Sequence, residues 1–277
     1  MISYSSRLRE ELSFRALSWA KNNDLPHECT IGNLPSVLFR EAADTTHGNF
    51  HPASYKCIRR KPEWNRRLRK PHTSARRNLP SHDAHRSELD TAASSDALLM
   101  NVFCHPQAFA AASSLRLLLA TEAPERLQFG WKPRIPLLAN HVECTEIDLR
   151  IGNLFIEAKL TEVDFPAAPR VRVERYRDLS CVFETKLLPR IAESYLHYQL
   201  IRGVLSVFAE EGIRYCVICD ARRPDLIDAW FSVASAVRLP LLRSRLQLTT
   251  WQEIAATLPK SMRMWLEDKY GIECNWT

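Results

Sequence analysis

Residues 143–160 read ECTEIDLRIGNLFIEAKL, and this stretch decides the fold prediction. Two apolar-rich runs flank Gly152-Asn153, a pair that tolerates the positive φ angles of a two-residue hairpin turn. Because side chains alternate between the two faces of a strand, four charged side chains share one face of this hairpin. They form two cross-strand pairs, Asp148 with Glu157 and Glu146 with Lys159.

The shared face of the hairpin brings three carboxylates and one lysine onto a small patch. Directly opposed Cβ atoms lie roughly 4.5–5.5 Å apart, and carboxylates this close repel each other unless positive charge lies between them. Lys159 is one source of that charge, and a hard divalent cation such as Mg²⁺ is another. The second strand is otherwise almost wholly apolar, as in strands covered on both faces. The alternative is a solvent-facing strand with ordinary salt bridges.

Asp148, a turn and the run Glu157-Ala158-Lys159 resemble the motif of the PD-(D/E)XK nuclease superfamily, which has the restriction-endonuclease-like fold. The resemblance implies that Asp148 and Glu157 bind a metal ion and that Lys159 positions or activates the attacking water. The proline of the family motif is replaced here by Ile147. Two roles stay open for Glu146, as an outer ligand or as a partner of Lys159 across the hairpin.

The resemblance extends to a helix before the hairpin. Residues 87–103 are predicted to form a helix, and Glu88 matches by position the acid that reaches the metal site in many superfamily members. Asp90 and Asp96 compete for this role. Alternatively, Ser87 and Asp90 are helix-capping groups.

A second helix, predicted over residues 188–210 from its apolar spacing, precedes a buried strand predicted at 213–219. This order matches the superfamily, which often places a Gln or Tyr on that helix near the lysine. Gln199, with Tyr195 one turn earlier, is the matching candidate. The alternative for Gln199 is a polar residue on a partly exposed helix.

The composition limits the classes of protein to which the chain belongs. The 277 residues are enough for one sizeable core, and only 7 are glycine, which argues against Gly-rich phosphate loops. No run of about 18 apolar residues is present, and the first twenty residues lack the apolar core of a secretory signal. We therefore expect a cytoplasmic protein that does not enter a membrane and whose 8 cysteines are reduced.

Positive charge is concentrated in the N-terminal third. Residues 1–86 hold 16 Lys and Arg against 8 Asp and Glu, whereas residues 87–277 hold 22 against 24. Phosphate backbones attract such segments. The basic segment, residues 56–86, is predicted to be a loop or arm with a short helix around Trp64–Lys70. It is expected to contact DNA, with Tyr55 and Trp64 available for stacking on bases. The predicted contacts are Arg59, Arg60, Lys61, Arg66, Arg67, Arg69 and Lys70. The alternative is a solvated linker.

A second set of arginines follows the hairpin. Arg170, Arg172 and Arg175 are candidates for clamping phosphates beside the active site, and a solvated charged loop is the alternative. The pair Cys216 and Cys219 invites a zinc or redox interpretation. We favour buried cysteines instead, because residues three apart in a strand point to opposite faces.

These patterns together predict an α/β protein with a restriction-endonuclease-like core, a mixed sheet of about four strands flanked by helices. Residues 1–86 would form a basic N-terminal extension and residues 87–277 the nuclease-like domain with its C-terminal helices. The expected function is Mg²⁺-dependent hydrolysis of phosphodiester bonds, with Mn²⁺ as a substitute ion and DNA as the substrate. RNA stays an alternative substrate, and a homodimer is compatible with double-strand cutting, although no residue indicates it. The competing function is a nucleic-acid-binding protein that keeps the fold without turnover.

Overall fold

The computed structural model describes residues 3–30, 35–71, 87–110, 113–122 and 126–274. The chain divides into two compact units. Residues 124–250 form the sheet unit, and residues 1–123 with 251–277 form the helical unit. Among the described helices, none is both long enough and apolar enough to cross a membrane.

Short strands and helices alternate along the chain. The strands are β1 His27–Cys29, β2 Val37–Phe39, β3 Leu127–Trp131, β4 Ile135–Pro136, β5 Val142–Glu143, β6 Ile147–Ile151, β7 Leu154–Ala158, β8 Ala168–Pro169, β9 Arg190–Ile191, β10 Ser194–Tyr195, β11 Arg214–Cys219 and β12 Leu246–Thr250. The helices are α1 Tyr4–Asn22, α2 Pro52–Arg60, α3 Pro62–Arg67, α4 Ser95–Phe103, α5 Ser114–Leu118, α6 Arg170–Val173, α7 Leu179–Val182, α8 Tyr198–Ala209, α9 Pro224–Ala234, α10 Pro240–Arg243, α11 Trp251–Ala256 and α12 Lys260–Tyr270.

The main sheet of the sheet unit has five strands in the order β12-β11-β7-β6-β3. β7 pairs antiparallel with β6 and parallel with β11, so the sheet is mixed. The mixed α/β class is confirmed, although the sheet has one strand more than the predicted four. The hairpin and its register are also confirmed, because Leu149 pairs with Ile156 and Ile151 with Leu154. Gly152 takes a φ of +55° in the turn, where its lack of a Cβ avoids strain.

α8 covers one face of the central strands. Leu200, Ile201 and Val204 of this helix lie in one buried cluster with Phe155 of β7 and Tyr215 of β11. All five residues of β7 are buried, which agrees with the prediction of a strand covered on both faces. The predicted strand at 213–219 is confirmed as β11.

The helix predicted over residues 188–210 begins ten residues later than expected. Residues before Tyr198 form the two-residue strands β9 and β10 instead. Pro189 disfavours a helix interior, and His197 takes a left-handed φ of +56°, which ends any helical path from before it. The apolar spacing was misleading because Tyr195 reaches the core from a strand, whereas Ile191 is exposed.

The helical unit joins segments that the sequence analysis assigned to different domains. His51 N–H donates to Asn101 Oδ1 at 2.7 Å, and the Ser54 hydroxyl donates to the Asn101 carbonyl at 2.6 Å. From the C-terminal helix α12, Lys269 Nζ donates to Asn49 Oδ1 at 2.6 Å. α4 and α12 therefore pack with the N-terminal segment, and the division between compact units does not follow the predicted boundary at residue 86.

Two other local predictions for this unit are revised. The helix predicted over 87–103 is interrupted, because Glu88–Asp90 is a short 3₁₀ turn and α4 begins after Ser94, whose hydroxyl caps Ala97 N–H at 3.2 Å. The described part of the basic segment contains most of α2 and all of α3. α3 corresponds to the short helix predicted around Trp64–Lys70 and begins two residues earlier, whereas α2 replaces part of the predicted loop. The rest of that segment, residues 72–86, lies outside the described residues.

Candidate active site

The two predicted metal ligands lie side by side at the end of the β6–β7 hairpin. Asp148 follows the buried Ile147 in β6, and its Oδ2 accepts the backbone N–H of Ala158 at 2.8 Å. This bond holds the half-buried carboxylate against β7, next to Glu157. The Glu157 side chain is only 3% exposed. Carboxylate oxygens from both strands therefore point to the same face of the sheet.

Lys159 completes this group. Its Nζ lies 3.0 Å from Glu157 Oε1, and its side chain is 8% exposed. Burial works against the ammonium form, but the negative charges of Glu157, Glu162 and Asp148 outweigh it, so the pKa of Lys159 lies above its usual value. The ammonium also lies 5.6 Å from the centre of the Phe165 ring. An ion pair this deeply buried contributes little net stability, and such pairs cluster at functional sites.

The direction of α8 determines where Gln199 lies. Because α8 connects the parallel strands β7 and β11, it runs back antiparallel to them, and its first turn lies near their C-terminal ends. A Cβ on Gly203 would come within 2.3 Å of Tyr215 Cζ, so helix and sheet are in close contact there. Gln199 lies one turn earlier on the same helix face as Gly203. Its buried Oε1 has no hydrogen-bond partner within the described part of the chain.

The predicted third ligand, Glu88, belongs to the other unit and lies in its 3₁₀ turn. Among the described residues, no group of three or more His, Cys, Asp or Glu side chains is arranged to hold a metal ion. Glu146 has its backbone carbonyl bound by Arg202 at 3.2 Å. A cation held by Asp148 and Glu157 would take its remaining ligands from water, and the role of Glu146 as an outer ligand stays a prediction.

This donor set fits Mg²⁺. Mg²⁺ keeps several waters and is usually held by one or two carboxylates together with substrate phosphates. Asp148, Glu157 and Glu162 contribute three negative charges around the one positive charge of Lys159. The cysteine pair does not compete for metal, because Cys216 and Cys219 are both fully buried in β11.

Three residues near Lys159 were not predicted from the sequence. Glu162 folds back so that its Oε2 accepts Leu160 N–H at 2.6 Å. Arg223, fully buried, donates to backbone carbonyls of the same turn, including that of Glu162 at 2.8 Å. The His197 ring lies 6.4 Å from the Phe165 ring, and burial lowers the pKa of His197 although Asp164 opposes the shift. Only Glu162 had a local signal, since it follows the motif by three residues.

A group of hydroxyls binds one carboxylate, that of Glu143, at the start of α8. Glu143 accepts hydrogen bonds from the hydroxyls of Thr145 at 2.5 Å, of Tyr198 at 2.9 Å and of Tyr176. Burial works against its ionised form, but these hydrogen bonds outweigh burial, and the pKa of Glu143 lies below its usual value. Arg172 lies 3.7 Å from Glu143 Oε1 and 4.7 Å from the Tyr198 ring centre, with 54% of its side chain exposed. Arg172 is thus held at the surface near the first turn of α8.

The other predicted DNA contacts fall into two groups. Four have exposed side chains: Arg60, Lys61, Arg66 and Arg69. The rest bind acids of their own unit: Arg59 pairs with Glu41 at 2.7 Å, Arg67 and Lys70 pair with Asp96 at 3.2 and 2.5 Å, and Arg170 pairs with Glu174 at 2.6 Å.

The predicted stacking role of two aromatic residues is wrong. Tyr55 is 4% exposed and Trp64 is 6% exposed, so neither ring presents a free face to a base. Both rings pack inside the helical unit, because their apolar surfaces supply core area that short helices need.

Comparison with curated proteins and with solved structures gives no match. A family model described as "Restriction Endonuclease associating with ARP" matches residues 16–271. The match spans both units and includes the whole β6–β7 hairpin, and it confirms the resemblance to restriction-endonuclease-like proteins. The chain belongs to this family of restriction endonucleases associating with ARP.

Proposed function

We propose that the chain is a metal-dependent nuclease that hydrolyses phosphodiester bonds in DNA, with Asp148, Glu157 and Lys159 as its active site. One observation supports this proposal most strongly. The oppositely charged side chains of Glu157 and Lys159 are buried 3.0 Å apart, and the Asp148 carboxylate adjoins them at the centre of a mixed sheet. A sheet core has no structural need for such a group, because apolar side chains of similar volume would serve stability at least as well.

Each residue has a defined task in this proposal. Asp148 and Glu157 would hold Mg²⁺, which when bound polarises the scissile phosphate and lowers the pKa of bound water. Lys159, kept protonated by its carboxylate neighbours, would orient the attacking water and stabilise negative charge that develops on the phosphate. Gln199 offers an unpaired buried oxygen on the helix above these residues. Arg172 would contact a substrate phosphate from the surface, as an exposed guanidinium fixed by Glu143.

The family description adds a partner. It names association with ARP, and we propose that this chain also acts together with such a protein. The partner would then raise the rate of cleavage above that of the isolated chain. DNA is the favoured substrate because the family is described as restriction endonucleases.

Cleavage assays with the purified chain test the proposal. We expect supercoiled plasmid to be cut with Mg²⁺ or Mn²⁺ and to stay intact with a chelator. Linear single-stranded DNA and RNA in parallel reactions define the substrate class, and nicked, linear or degraded products separate nicking, double-strand cutting and exonuclease action. If the wild type cuts none of these substrates, with or without ARP, but retains DNA binding, the non-catalytic binding function replaces this proposal.

The exposed arginines of the basic segment give a separate prediction. Changing Arg66 and Arg69 together to alanine should weaken DNA binding, and the slope of log affinity against log salt should fall in magnitude by about 2, because each lost phosphate contact removes about one unit. The thermal stability should stay the same, since both side chains are exposed. Binding measured at several salt concentrations checks this.

Two control variants separate a loss of DNA contacts from a general loss of charge or of stability. Arg7→Ala with Arg263→Ala removes two exposed arginines of the same unit outside the basic segment and should leave the salt slope unchanged. Arg67→Ala should instead lower the melting temperature, because Arg67 pairs with the buried Asp96. An unchanged slope in the Arg66 and Arg69 variant would remove these residues from the DNA interface.

A further inference from the structure

The helix α8 carries a buried arginine that has no acidic partner. Only 4% of Arg202 is exposed. Its Nη2 donates to the backbone carbonyl of Glu146 at 3.2 Å, and within the described part of the chain this is the one hydrogen bond made by its five N–H donors. No Asp or Glu side chain among the described residues forms an ion pair with it. Buried charges are costly unless they are paired, so a structural role alone accounts poorly for this residue.

Arg223 shows how a structural arginine is buried in the same unit. It binds Asp225 through two hydrogen bonds of 2.9 and 2.7 Å, and its other donors reach three backbone carbonyls at 2.8 to 3.1 Å. All five of its N–H donors are therefore used. Arg202, by contrast, is held at one point and keeps most of its donors for another partner. A guanidinium is always charged and matches the oxygens of a phosphate group, so the fitting partner is a phosphate.

The guanidinium of Arg202 lies beside the strand that carries Asp148. Glu146, whose carbonyl it binds, directly precedes β6 and stands two positions before Asp148. Because consecutive Cα atoms lie about 3.8 Å apart, this bond holds the guanidinium within roughly 10 Å of the Asp148 carboxylate. Burial raises the pKa of the Tyr215 hydroxyl. Glu157 and Asp148 raise it further, whereas Arg202 opposes them, so all three charges surround one hydroxyl.

Two further polar groups next to Arg202 have no protein partner. The Oε1 of Gln199 and the hydroxyl of Tyr215 are buried and form no hydrogen bond within the described residues. Gln199 is a neighbour of Arg202 on the helix surface, three positions earlier. The Tyr215 hydroxyl lies 2.4 Å from where a Cβ on Gly203 would be, directly after Arg202 in the helix. Three neighbouring polar groups thus have bonding capacity that the described protein does not use.

We propose that Arg202 binds a phosphate group of the DNA at the active site. This inference rests on the proposed nuclease function and adds a substrate contact to it. The carboxylates of Asp148 and Glu157 repel a phosphate, whereas the guanidinium attracts it and donates to two of its oxygens at once. Arg202 also stabilises the negative charge that develops on these oxygens during hydrolysis. Its burial without an acidic partner is the preorganisation that such a contact requires.

DNA binding at several salt concentrations tests the inference without cleavage. The measurement uses the Asp148→Asn background and a chelator, so that the DNA stays intact and one repelling charge is removed. Arg202→Met removes the guanidinium, and the slope of log affinity against log salt should fall in magnitude by about 1, the value for one lost phosphate contact. Arg202→Lys keeps the charge and should retain the slope. Arg238→Met, at an exposed position of the same unit, is the matched control and should also retain it.

Cleavage and thermal unfolding separate a phosphate contact from a structural role. With Mg²⁺, Arg202→Met should lower kcat on the order of 10²–10³-fold, and Arg202→Lys should recover part of the rate. The melting temperature of Arg202→Met should change far less than that of Arg223→Ala, because one hydrogen bond is lost and no ion pair is broken.

Two results would overturn the inference. One is an unchanged salt slope in Arg202→Met. The other is a loss of cleavage together with a fall in melting temperature as large as that of Arg223→Ala, which would make Arg202 a structural residue. A wild type that cuts no DNA overturns the proposed function instead, and the salt slope then decides this inference alone.

Discussion

Changing Lys159 to methionine is expected to reduce Mg²⁺-dependent DNA cleavage on the order of 10²–10³-fold, the usual cost of removing one group that stabilises transition-state charge. It should also lower the free energy of unfolding without metal by about 3–5 kcal/mol, because Glu157 is left buried without its cation. Mg²⁺ should then raise the melting temperature of the variant more than that of the wild type, since it replaces the ammonium beside Glu157.

The combination of these effects separates a catalytic lysine from a structural one. Lys186→Met, which alters an exposed lysine of the same unit, should leave both cleavage and melting temperature unchanged. Cleavage rates and melting temperatures, each measured with and without Mg²⁺, test these expectations for both variants and the wild type. A Lys159→Met protein that is destabilised yet cuts DNA at the wild-type rate would show that the buried pair is structural only.

Changing Arg223 to alanine is expected to give a loss of stability as large as that of Lys159→Met. The variant leaves Asp225 without its cation and three carbonyls of the turn without donors. Each buried carbonyl left without its donor costs about 1–3 kcal/mol, whereas Asp225, with 34% of its side chain exposed, is rehydrated. A total loss of about 3–5 kcal/mol corresponds to a fall in melting temperature on the order of 10 °C for a chain of this size. Thermal unfolding followed by circular dichroism measures the change.

Arg238 provides the comparison for this prediction. Its exposed side chain donates to a single carbonyl, that of Ser180, at 3.2 Å. Arg238→Ala should therefore shift the melting temperature little. Equal shifts in the two variants would mean that the turn after Lys159 does not depend on the buried guanidinium.

The parts of the fold that were predictable from sequence are local ones. The β6–β7 hairpin is specified by Gly152-Asn153 and by alternation over a few residues, and its register follows from these alone. The face shared by Asp148, Glu157 and Lys159 was predictable for the same reason. The strand β11 was predictable because its apolar run is short and follows Gly212 directly.

The features that were missed depend on contacts between distant residues. Arg223 lies about sixty positions after the turn that it holds, and nothing near it in sequence indicates that partner. Tyr55 and Trp64 resemble exposed stacking residues within a basic segment, yet they are buried because α2 and α3 pack within the helical unit. Likewise, the ion pairs of Arg67 and Lys70 with Asp96 become visible only when residues 67–70 and α4 are brought together.

The start of α8 shows how a correct pattern led to a wrong boundary. Apolar residues recur at helical spacing from Leu188 onward, but those before Tyr198 belong to β9, β10 and the connecting turns. Tyr195 is buried from a strand and Leu200 from a helix, although both belong to the same run of spaced apolar residues. Apolar periodicity shows only which residues are apolar, and tertiary packing decides whether they are buried from a helix or from a strand.

The most direct test of the central claim is single-turnover cleavage of supercoiled plasmid by wild type and Asp148→Asn, with Mg²⁺ as the only divalent cation. The asparagine side chain can still accept Ala158 N–H, so the hairpin should be retained while one charged metal ligand is lost. We predict that wild type and the exposed control Asp228→Asn cut the plasmid and that Asp148→Asn does not. Equal cleavage by all three proteins would contradict the assignment of the active site to this hairpin.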